Sequence, residues 1–422
     1  MGGAMGGNGR ESGAARVGYR LAGLCAVGFL ARASYALART PVLALFAVSL
    51  GAGPQAVGFA VGISTITGVL FKLPAGVLSD VVGRRRMVFA GLGVFALAPL
   101  AYLAVDSYPA LLAVRFIHGF ATAIYGPVAM AVVVAAVGER RAEGLAWFSS
   151  LTIVGNLLGA PLGGFLLTWL AAGGAPRAAD FRVIYAVVAA LGLASLLLAT
   201  VALRGVADAA PAEARSWATV WRRFRAGVRE ILMRRGVLLT GNLEGAENLA
   251  VGALEAFLPV YAVQVCGFSA FQAGLLWGVQ TASALLSKPL MGRWSDRGAR
   301  QALAFWGVLL CAAPFAAIPW TRDYPLLLAL CAVFGLGEAL VTSSAAALVA
   351  DLCRAEDVGA AMGAFGTLFD VGHAAGPILA GALIALAGPG AVDYRLAFGV
   401  IAALLLAAAL AFRVGVRAGE RA

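Results

Sequence analysis

The chain has 422 residues, of which 61% are hydrophobic and only 13% charged, and its mean hydropathy is +0.89. The charged fraction of a soluble globular protein is about a quarter, so this composition excludes that class and indicates a polytopic membrane protein. The net charge of +11 calls for no nucleic-acid partner, because no soluble basic module remains to bind one.

Apolar stretches long enough to cross a hydrocarbon core of about 30 Å recur between short polar breaks. Before them, residues 1–18 are rich in Gly and Ala, and we predict a flexible cytoplasmic tail there rather than a signal peptide, because no short apolar core with a cleavage site precedes the first span. We predict twelve spans, at residues 19–48, 55–79, 87–105, 109–137, 145–172, 182–203, 237–264, 270–292, 301–320, 325–350, 358–387 and 393–413.

The spans divide into two groups of six, separated by one long polar segment. The predicted units are an N-terminal bundle at 19–203, a cytoplasmic linker at 204–236, a C-terminal bundle at 237–415 and a cytoplasmic tail at 416–422. In the linker, Trp217, Trp221, Phe224 and Val228 follow at spacings of four, three and four and share a helical face, with arginines elsewhere. This pattern predicts a basic amphipathic helix on the inner membrane surface; the alternative is a solvated spacer.

One half of the chain repeats the other. Lys72 and Lys288 are the only two lysines, and each opens the same phrase, in which Gly76 and Asp80 match Gly292 and Asp296. The separation is 216 residues at all three positions. A repeat of this size in a hydrophobic chain is typical of transporters made of two similar bundles.

The distribution of basic residues orients the bundles. Most of the 32 Lys and Arg residues fall on the side that holds both termini, and we assign to the opposite side only Arg177, Arg182, Arg322 and Arg395. The positive-inside rule then places both termini in the cytoplasm and the chain in the plasma (inner) membrane.

The segment between the second and third spans reads Gly76-Val-Leu-Ser-Asp80-Val-Val-Gly83-Arg84-Arg85. It resembles the signature loop of the major facilitator superfamily, Gly-x-Leu-Ala-Asp-Arg-x-Gly-Arg-Lys, although Val81 replaces the usual arginine. The second copy is shortened. By this resemblance we expect conformational signature loops formed by Lys72, Gly76, Asp80, Gly83, Arg84 and Arg85 and by Lys288, Gly292 and Asp296.

Three more phrases are similar to the drug/proton antiporter branch of that superfamily. They are Pro41-Val-Leu in the first span, Arg115-Phe-Ile-His118-Gly119 in the fourth, and Gly155 to Gly164 in the fifth, where Ala160 interrupts the Gly-Pro pair associated with export. The resemblance implies an all-α integral membrane protein with twelve transmembrane helices in two pseudo-symmetric six-helix bundles. It also implies a secondary active transporter that works by alternating access.

Charged residues inside a membrane usually face a water-filled cavity or a partner. The interior acids, all in the second half, are Glu244, Glu247, Glu255, Glu338 and Asp370, whereas the interior bases are Arg32, Arg39, Lys72 and Arg115 in the first half and Lys288 in the second. We therefore predict a cavity with a basic wall and an acidic wall. At about 100° per residue, Arg32, Tyr35 and Arg39 share one side of the first helix.

The repeat offset makes Arg39 the equivalent of Glu255. We expect an ion pair between them that joins the halves in one state and separates in another; the alternatives are a permanent packing pair, or exposure at the outer rim. Lys72 on the second helix is expected to reach Asp370 on the eleventh, unless it extends to the inner membrane interface instead.

Arg115, His118, Thr122 and Tyr125 make a polar stripe on the fourth helix. In the antiporter branch, the arginine that matches Arg115 is implicated in proton coupling. The candidate proton-carrying groups here include Glu338, Asp370 and His373. The alternative is that His118 and His373 are neutral, hydrogen-bonded residues of the bundle.

The sequence contains no phosphate-binding loop and no nucleophile, metal or cofactor constellation, so we expect neither an enzyme nor a cofactor. Five isolated cysteines indicate neither a disulfide framework nor a zinc site. We expect proton-coupled export of small organic or amphipathic compounds by a monomer. The alternatives are proton-coupled uptake of an organic anion or zwitterion, and a non-transporting receptor or scaffold on the same fold.

Overall fold

The computed structural model is helical throughout the part of the chain that it describes, apart from short connections. It describes residues 7–137, 141–172, 174–204, 221–222, 225, 235–296, 300–353, 358–387 and 391–419. The amphipathic linker helix predicted around Trp217 to Val228 lies mostly outside these residues, although Trp221 and Arg222 are described as exposed.

Thirteen α-helices lie within those ranges. In the first half they are α1 (Gly7–Arg39), α2 (Val42–Ser49), α3 (Pro54–Val82), α4 (Arg84–Ala101), α5 (Tyr108–Val137), α6 (Arg141–Leu170) and α7 (Ala178–Ala202). In the second half they are α8 (Arg235–Val260), α9 (Ala270–Trp294), α10 (Arg300–Ala317), α11 (Tyr324–Leu352), α12 (Val358–Ala387) and α13 (Ala391–Gly419). A π-helical turn, Tyr261–Val265, continues α8.

Helices α1 and α2 together make the first span, Tyr19–Ser49. The break lies at Pro41, which has no N–H to donate to the helical ladder. At both termini of the chain, the helices extend beyond the ends of the predicted spans. Helix α1 begins at Gly7 and so includes residues 7–18 of the predicted tail, and α13 continues to Gly419.

Eleven spans in the described residues are long and apolar enough to cross a membrane. Helix α9, predicted as the eighth span, is long enough but does not reach the same apolarity. It carries Gln272, Gln280, Ser283, Ser287 and Lys288. It nevertheless packs inside the bundle, against α6 and α11. The prediction of an all-α integral membrane fold is confirmed.

The two halves meet along two helix pairs, α3 with α12 and α6 with α9. Both contacts use glycines at equivalent places in the repeat. A Cβ on Gly58 of α3 would lie 2.1 Å from the carbonyl oxygen of Pro377, and a Cβ on Gly274 of α9 would lie 2.6 Å from the carbonyl oxygen of Ala160. The absence of a side chain lets these backbones touch.

These close contacts lie near one end of the bundle. Gly58 is in the first turns of α3, next to Pro54, and Gly274 is in the first turns of α9. The signature loop around Gly83 is at the other end of α3. The halves are therefore packed together at the end away from the signature loop, which we call the sealed end.

Candidate functional site

A cavity of about 480 Å³ lies between the halves on the signature-loop side of the sealed end. It is lined by Arg32, Tyr35, Arg39, Ser64, Thr65, Gly68, Lys72, Thr122, Tyr125, Gly126, Pro127, Met130, Phe148, Thr152, Phe369, Asp370 and His373. Its volume is within the range of small-molecule sites, about 300–1,000 Å³.

At the end of this cavity that lies toward the sealed end, three charged or titratable side chains from both halves are in contact. Arg39 Nε lies 2.5 Å from Glu255 Oε1, and His373 Nε2 lies 2.9 Å from Glu255 Oε2. Thr40 Oγ1 donates a hydrogen bond of 3.1 Å to Glu255 Oε1. Arg39 Nη2 is also 2.9 Å from His373 Nε2. We call Arg39, Glu255 and His373 the central triad.

The ring nitrogen of His373 cannot serve both neighbours. If Nε2 carries a proton, it donates to Glu255 and leaves nothing to accept a bond from Arg39; if it is bare, it accepts from Arg39 and faces the carboxylate without a proton. The arrangement is therefore sensitive to one proton. Glu255 itself is almost completely buried and depends on these partners.

Glycines of α8 and α12 bring His373 to Glu255. A Cβ on Gly376 would lie 2.0 Å from the carbonyl oxygen of Leu249, and a Cβ on Gly252 would lie 2.2 Å from that of His373. The two backbones thus touch, which no larger residue would permit. Gly372 and Gly376, four residues apart in the eleventh predicted span, both let α12 approach α8 in this way.

A second pair crosses the cavity closer to the signature loop. Lys72 Nζ lies 2.5 Å from Asp370 Oδ2, and the Lys72 side chain is 43% exposed. The contact joins α3 to α12, as the sequence predicts. Its exposure means that water competes for both charges.

Arg32 is the one cation on the cavity wall with no partner in the described residues. It makes no hydrogen bond or ion pair there, whereas Arg39 and Lys72 are both paired. Tyr35, one turn further along α1, is buried, and its hydroxyl donates a hydrogen bond of 3.4 Å to Ser64 Oγ.

The predicted basic wall is wrong for Arg115, whereas His118 fits the alternative of a hydrogen-bonded residue inside the bundle. Both are completely buried inside the first bundle and neither lines the cavity. Arg115 donates to the carbonyl oxygen of Ala60 at 3.2 Å and to Ser64 Oγ at 2.5 Å, and His118 Nδ1 is 3.3 Å from the Tyr102 hydroxyl. Gly119 allows this packing, because a Cβ there would lie 2.7 Å from the carbonyl oxygen of Ser64.

The predicted acidic wall is wrong for Glu244, Glu247 and Glu338, although Asp370 does line the cavity. Glu244 and Glu247 are completely buried within the second bundle, and neither they nor the partly buried Glu338 line the cavity. Asn248 Nδ2 donates a hydrogen bond of 2.9 Å to Glu247 Oε2, and Gln280 donates a hydrogen bond to Glu338.

We call Glu244, Glu247 and Glu338 the buried acid cluster. In the part of the chain that the structure describes, both carboxyl oxygens of Glu244 and one of Glu247 have no hydrogen-bond partner. Glu338 is close enough to act electrostatically on both of them and on His373. The cluster thus connects electrostatically to the central triad without opening into the cavity.

The first signature loop makes a turn at Gly83. Gly83 ends α3 with a φ of 105°, a conformation that favours glycine, and its N–H bonds the carbonyl oxygen of Ser79. Arg84 and Arg85 begin α4, and the Asp80 side chain lies outside the described set. In the second copy Lys288 is exposed, and Gly292 has no atom near its missing Cβ.

A contact that the sequence reasoning missed holds the second loop. Arg300 bonds both Asp296, at 3.3 Å, and Asp351. The repeat offset was the available signal, since it makes Arg300 the equivalent of Arg84. Over the described ranges, no group of three or more His, Cys, Asp or Glu side chains is arranged to hold a metal ion.

The sequence matches the Major Facilitator Superfamily over residues 24–286 and 249–421. The chain belongs to the Major Facilitator Superfamily. It is a multi-pass membrane protein.

Among its relatives is the multidrug transporter MdfA of Yersinia pestis, 30% identical over 213 residues, which are 50% of this chain and 48% of MdfA. The cephamycin export protein CmcT of Amycolatopsis lactamdurans is 29% identical over 37% of this chain and 31% of CmcT. An uncharacterized MFS-type transporter of Methanocaldococcus jannaschii is 29% identical over 33% of this chain and 34% of its own length. The chain thus spans about half or less of each relative.

Solved transporters share the fold of this superfamily member. A bacterial homologue of the human lysosomal transporter Spinster, inward-facing and occupied, has a TM-score of 0.79 at 14% identity and covers 95% of this chain and 97% of its own. The nucleoside transporter NupG (D323A mutant) has a TM-score of 0.78 at 14% identity, and the match covers 94% of this chain and 99% of NupG.

Proposed function

We propose that this transporter is a proton-coupled exporter of small organic or amphipathic compounds that works by alternating access. The names of MdfA and CmcT, a multidrug transporter and an export protein, support the direction of transport. The observation that carries the proposal is the central triad, which joins the two halves beside the cavity and in which Arg39 and Glu255 contact the same ring nitrogen of His373.

The sealed end must open for a substrate to leave there. Opening separates α1 from α8 and α12, and this breaks the contact of Arg39 with Glu255. A buried carboxylate that loses its cation is costly, so a proton takes the place of Arg39 on Glu255. When the halves close again, Arg39 displaces that proton. Each cycle then moves a proton against the movement of the substrate.

The buried acid cluster extends this pathway. Glu338 acts electrostatically on His373 and on Glu244 and Glu247, whose carboxyl groups have unpartnered oxygens. Lys288 also acts electrostatically on all three groups, but burial favours the protonated form of a carboxyl group. We assign the cluster as a proton store that exchanges with the triad through His373.

The topology follows from the arginines. With both termini in the cytoplasm, the signature loop is cytoplasmic, the cavity faces inward and the sealed end faces outward. The Lys72–Asp370 pair then lies on the cytoplasmic side of the central triad. The two bundles build the cavity within one chain, so we propose a functional monomer in the plasma membrane.

The test is proton movement in proteoliposomes loaded with a pH dye, after addition of lipophilic cations, organic anions and zwitterions. Antiport predicts that protons leave the lumen as a substrate enters, and that Glu255→Gln and His373→Gln abolish this flux. Asp106→Asn, at an exposed site near the sealed end, serves as the matched control. Substrate uptake without proton movement would contradict the coupling.

The second candidate is proton-coupled uptake of an organic anion or zwitterion. It is favoured by the three cations on the cavity wall, Arg32, Arg39 and Lys72. The same liposomes separate the two, because symport moves protons in the direction of the substrate. A lumen that acidifies as the substrate enters would establish uptake in place of export.

A further inference from the structure

The charges around the cavity do not balance. The wall carries Arg32, Arg39 and Lys72. Arg39 is neutralised by Glu255 and Lys72 by Asp370, with both distances at 2.5 Å. Among the described residues, this leaves Arg32 as the cation of the cavity wall that has no paired acid.

Arg32 has no compensating acid nearby. In the part of the chain that the structure describes, it makes no ion pair, and the ionisable side chains that act on it most are Tyr125, Tyr35 and Arg39. Its guanidinium Nη2 would be 3.9 Å from a Cβ on Gly126, so it crosses from α1 toward α5. A partly buried guanidinium without a counter-charge is unfavourable, and its five N–H donors match an anionic group.

Apolar side chains line the same cavity as Arg32. Met130, Phe148 and Phe369 line the same space, and Gly126 leaves room in front of the guanidinium. A ligand that suits this wall has one anionic head for Arg32 and an apolar body against the two phenyl rings and the thioether.

We infer that the transported compound is an amphipathic organic monoanion, with a carboxylate or sulfonate that Arg32 binds. The inference rests on the proposed function, because it names the substrate class of that same cavity. It separates Arg32, a substrate ligand, from Arg39, which is already committed to Glu255. It also explains why Arg32 has no acid beside it, since an acid there would compete with the substrate.

The test compares binding of two dyes that differ by one group. 8-Anilinonaphthalene-1-sulfonate and N-phenyl-1-naphthylamine share a ring system, and only the first carries a sulfonate. Binding to the full chain in lipid nanodiscs, corrected with empty nanodiscs, should be at least tenfold tighter for the sulfonate in the wild type. The neutral dye should bind with the same affinity to wild type and to Arg32→Gln.

The variants assign the effect to one side chain. Arg32→Gln should remove the preference for the sulfonate, and Arg32→Lys should keep most of it. Arg182→Gln, at an exposed site on α7 outside the cavity wall, should leave the preference unchanged. Equal affinity of the two dyes in the wild type, or displacement of the sulfonate by the cation tetraphenylphosphonium at equal concentration, would overturn the inference.

The wild-type comparison stands even if an Arg32 variant does not fold. It also needs no proton gradient. If proton flux is absent but the sulfonate preference is present, the proposed coupling fails and the substrate class survives. If a cation drives proton export and the sulfonate does not bind preferentially, the substrate class fails and the exporter survives.

Discussion

Arg39 and Glu255 are equivalent residues of the two halves, 216 positions apart, and yet they touch, with Arg39 Nε 2.5 Å from Glu255 Oε1. Equivalent residues of two pseudo-symmetric halves meet only close to the axis that relates them. Contacts away from the axis occur twice, as Gly58 with Pro377 and Gly274 with Pro161 do. The Arg39–Glu255 pair occurs once, so no second copy compensates for its loss.

The first prediction concerns that pair. Arg39→Glu and Glu255→Arg should each abolish transport, because each places two like charges at the axis, where like charges a few ångströms apart cost several kcal/mol in a low dielectric. The double exchange should recover part of the activity, since it restores one charge of each sign. Substrate-driven proton flux in proteoliposomes is the measurement.

Incomplete recovery is expected, because the exchanged arginine would lie beside His373. Adding His373→Gln to the double exchange should abolish the recovered flux, because the proposed proton pathway passes through His373. A double exchange as inactive as both single reversals, with normal folding, would argue that the pair is a packing contact and not a gate.

The repeat explains how much of this fold was visible in the sequence. A fixed offset of 216 residues relates Lys72 to Lys288, and the same offset relates Gly58 to Gly274 and Gly119 to Gly335 in the structure. Hydropathy predicts the twelve spans, including the less apolar α9, which packs against α6 and α11. Offset and hydropathy together predict which helices exist and which residues are equivalent.

Whether each charged side chain inside the membrane faces the cavity or the interior of its own bundle could not be predicted in the same way. Arg115, Glu244 and Glu247 were expected on the cavity wall and lie inside their bundles. Periodicity predicts which face of a helix is polar, but it does not predict whether that face packs against a neighbouring helix or lines the cavity. Which neighbour it meets depends on close backbone contacts, such as that of Gly119 with Ser64, which a single sequence does not reveal.

The Lys72–Asp370 pair should affect transport more than stability. The Lys72 side chain is 43% exposed, and ion pairs that water reaches contribute about 1 kcal/mol or less. Lys72→Met, Asp370→Asn and the double variant should therefore shift the thermal unfolding midpoint little. The transport rates of all three should fall to a similar level, because each variant removes the same contact between α3 and α12. Losses that multiply in the double variant would show that the two residues act independently.

The sealed end should open when a side chain is added to Gly58. A Cβ there would lie 2.1 Å from the Pro377 carbonyl oxygen, so Gly58→Leu should push α3 away from α12. The measurement is the rate at which an impermeant maleimide, added from outside, labels Thr65→Cys in a background with the five native cysteines replaced by Ala. This rate should rise at least tenfold.

Gly93→Leu is the matched control for that experiment, because no atom lies within 4 Å of the position of its Cβ. Labelling should stay at the background rate in this variant. If Gly58→Leu also left the rate unchanged while the protein remained folded, the contact would not be part of the seal.

The buried acid cluster gives the last prediction. Glu247 is completely buried, one of its carboxyl oxygens has no partner, and Asn248 donates to the other. Glu247→Gln keeps the acceptor for Asn248 and removes a group that is costly when ionised, so the free energy of unfolding should stay within about 1 kcal/mol of the wild type or rise. The number of protons moved per substrate should fall, because a proton-holding site is lost. Proton flux and substrate flux measured on the same liposomes give this ratio, with Asp106→Asn as the exposed control. A strongly destabilised Glu247→Gln with an unchanged ratio would instead assign the cluster to packing.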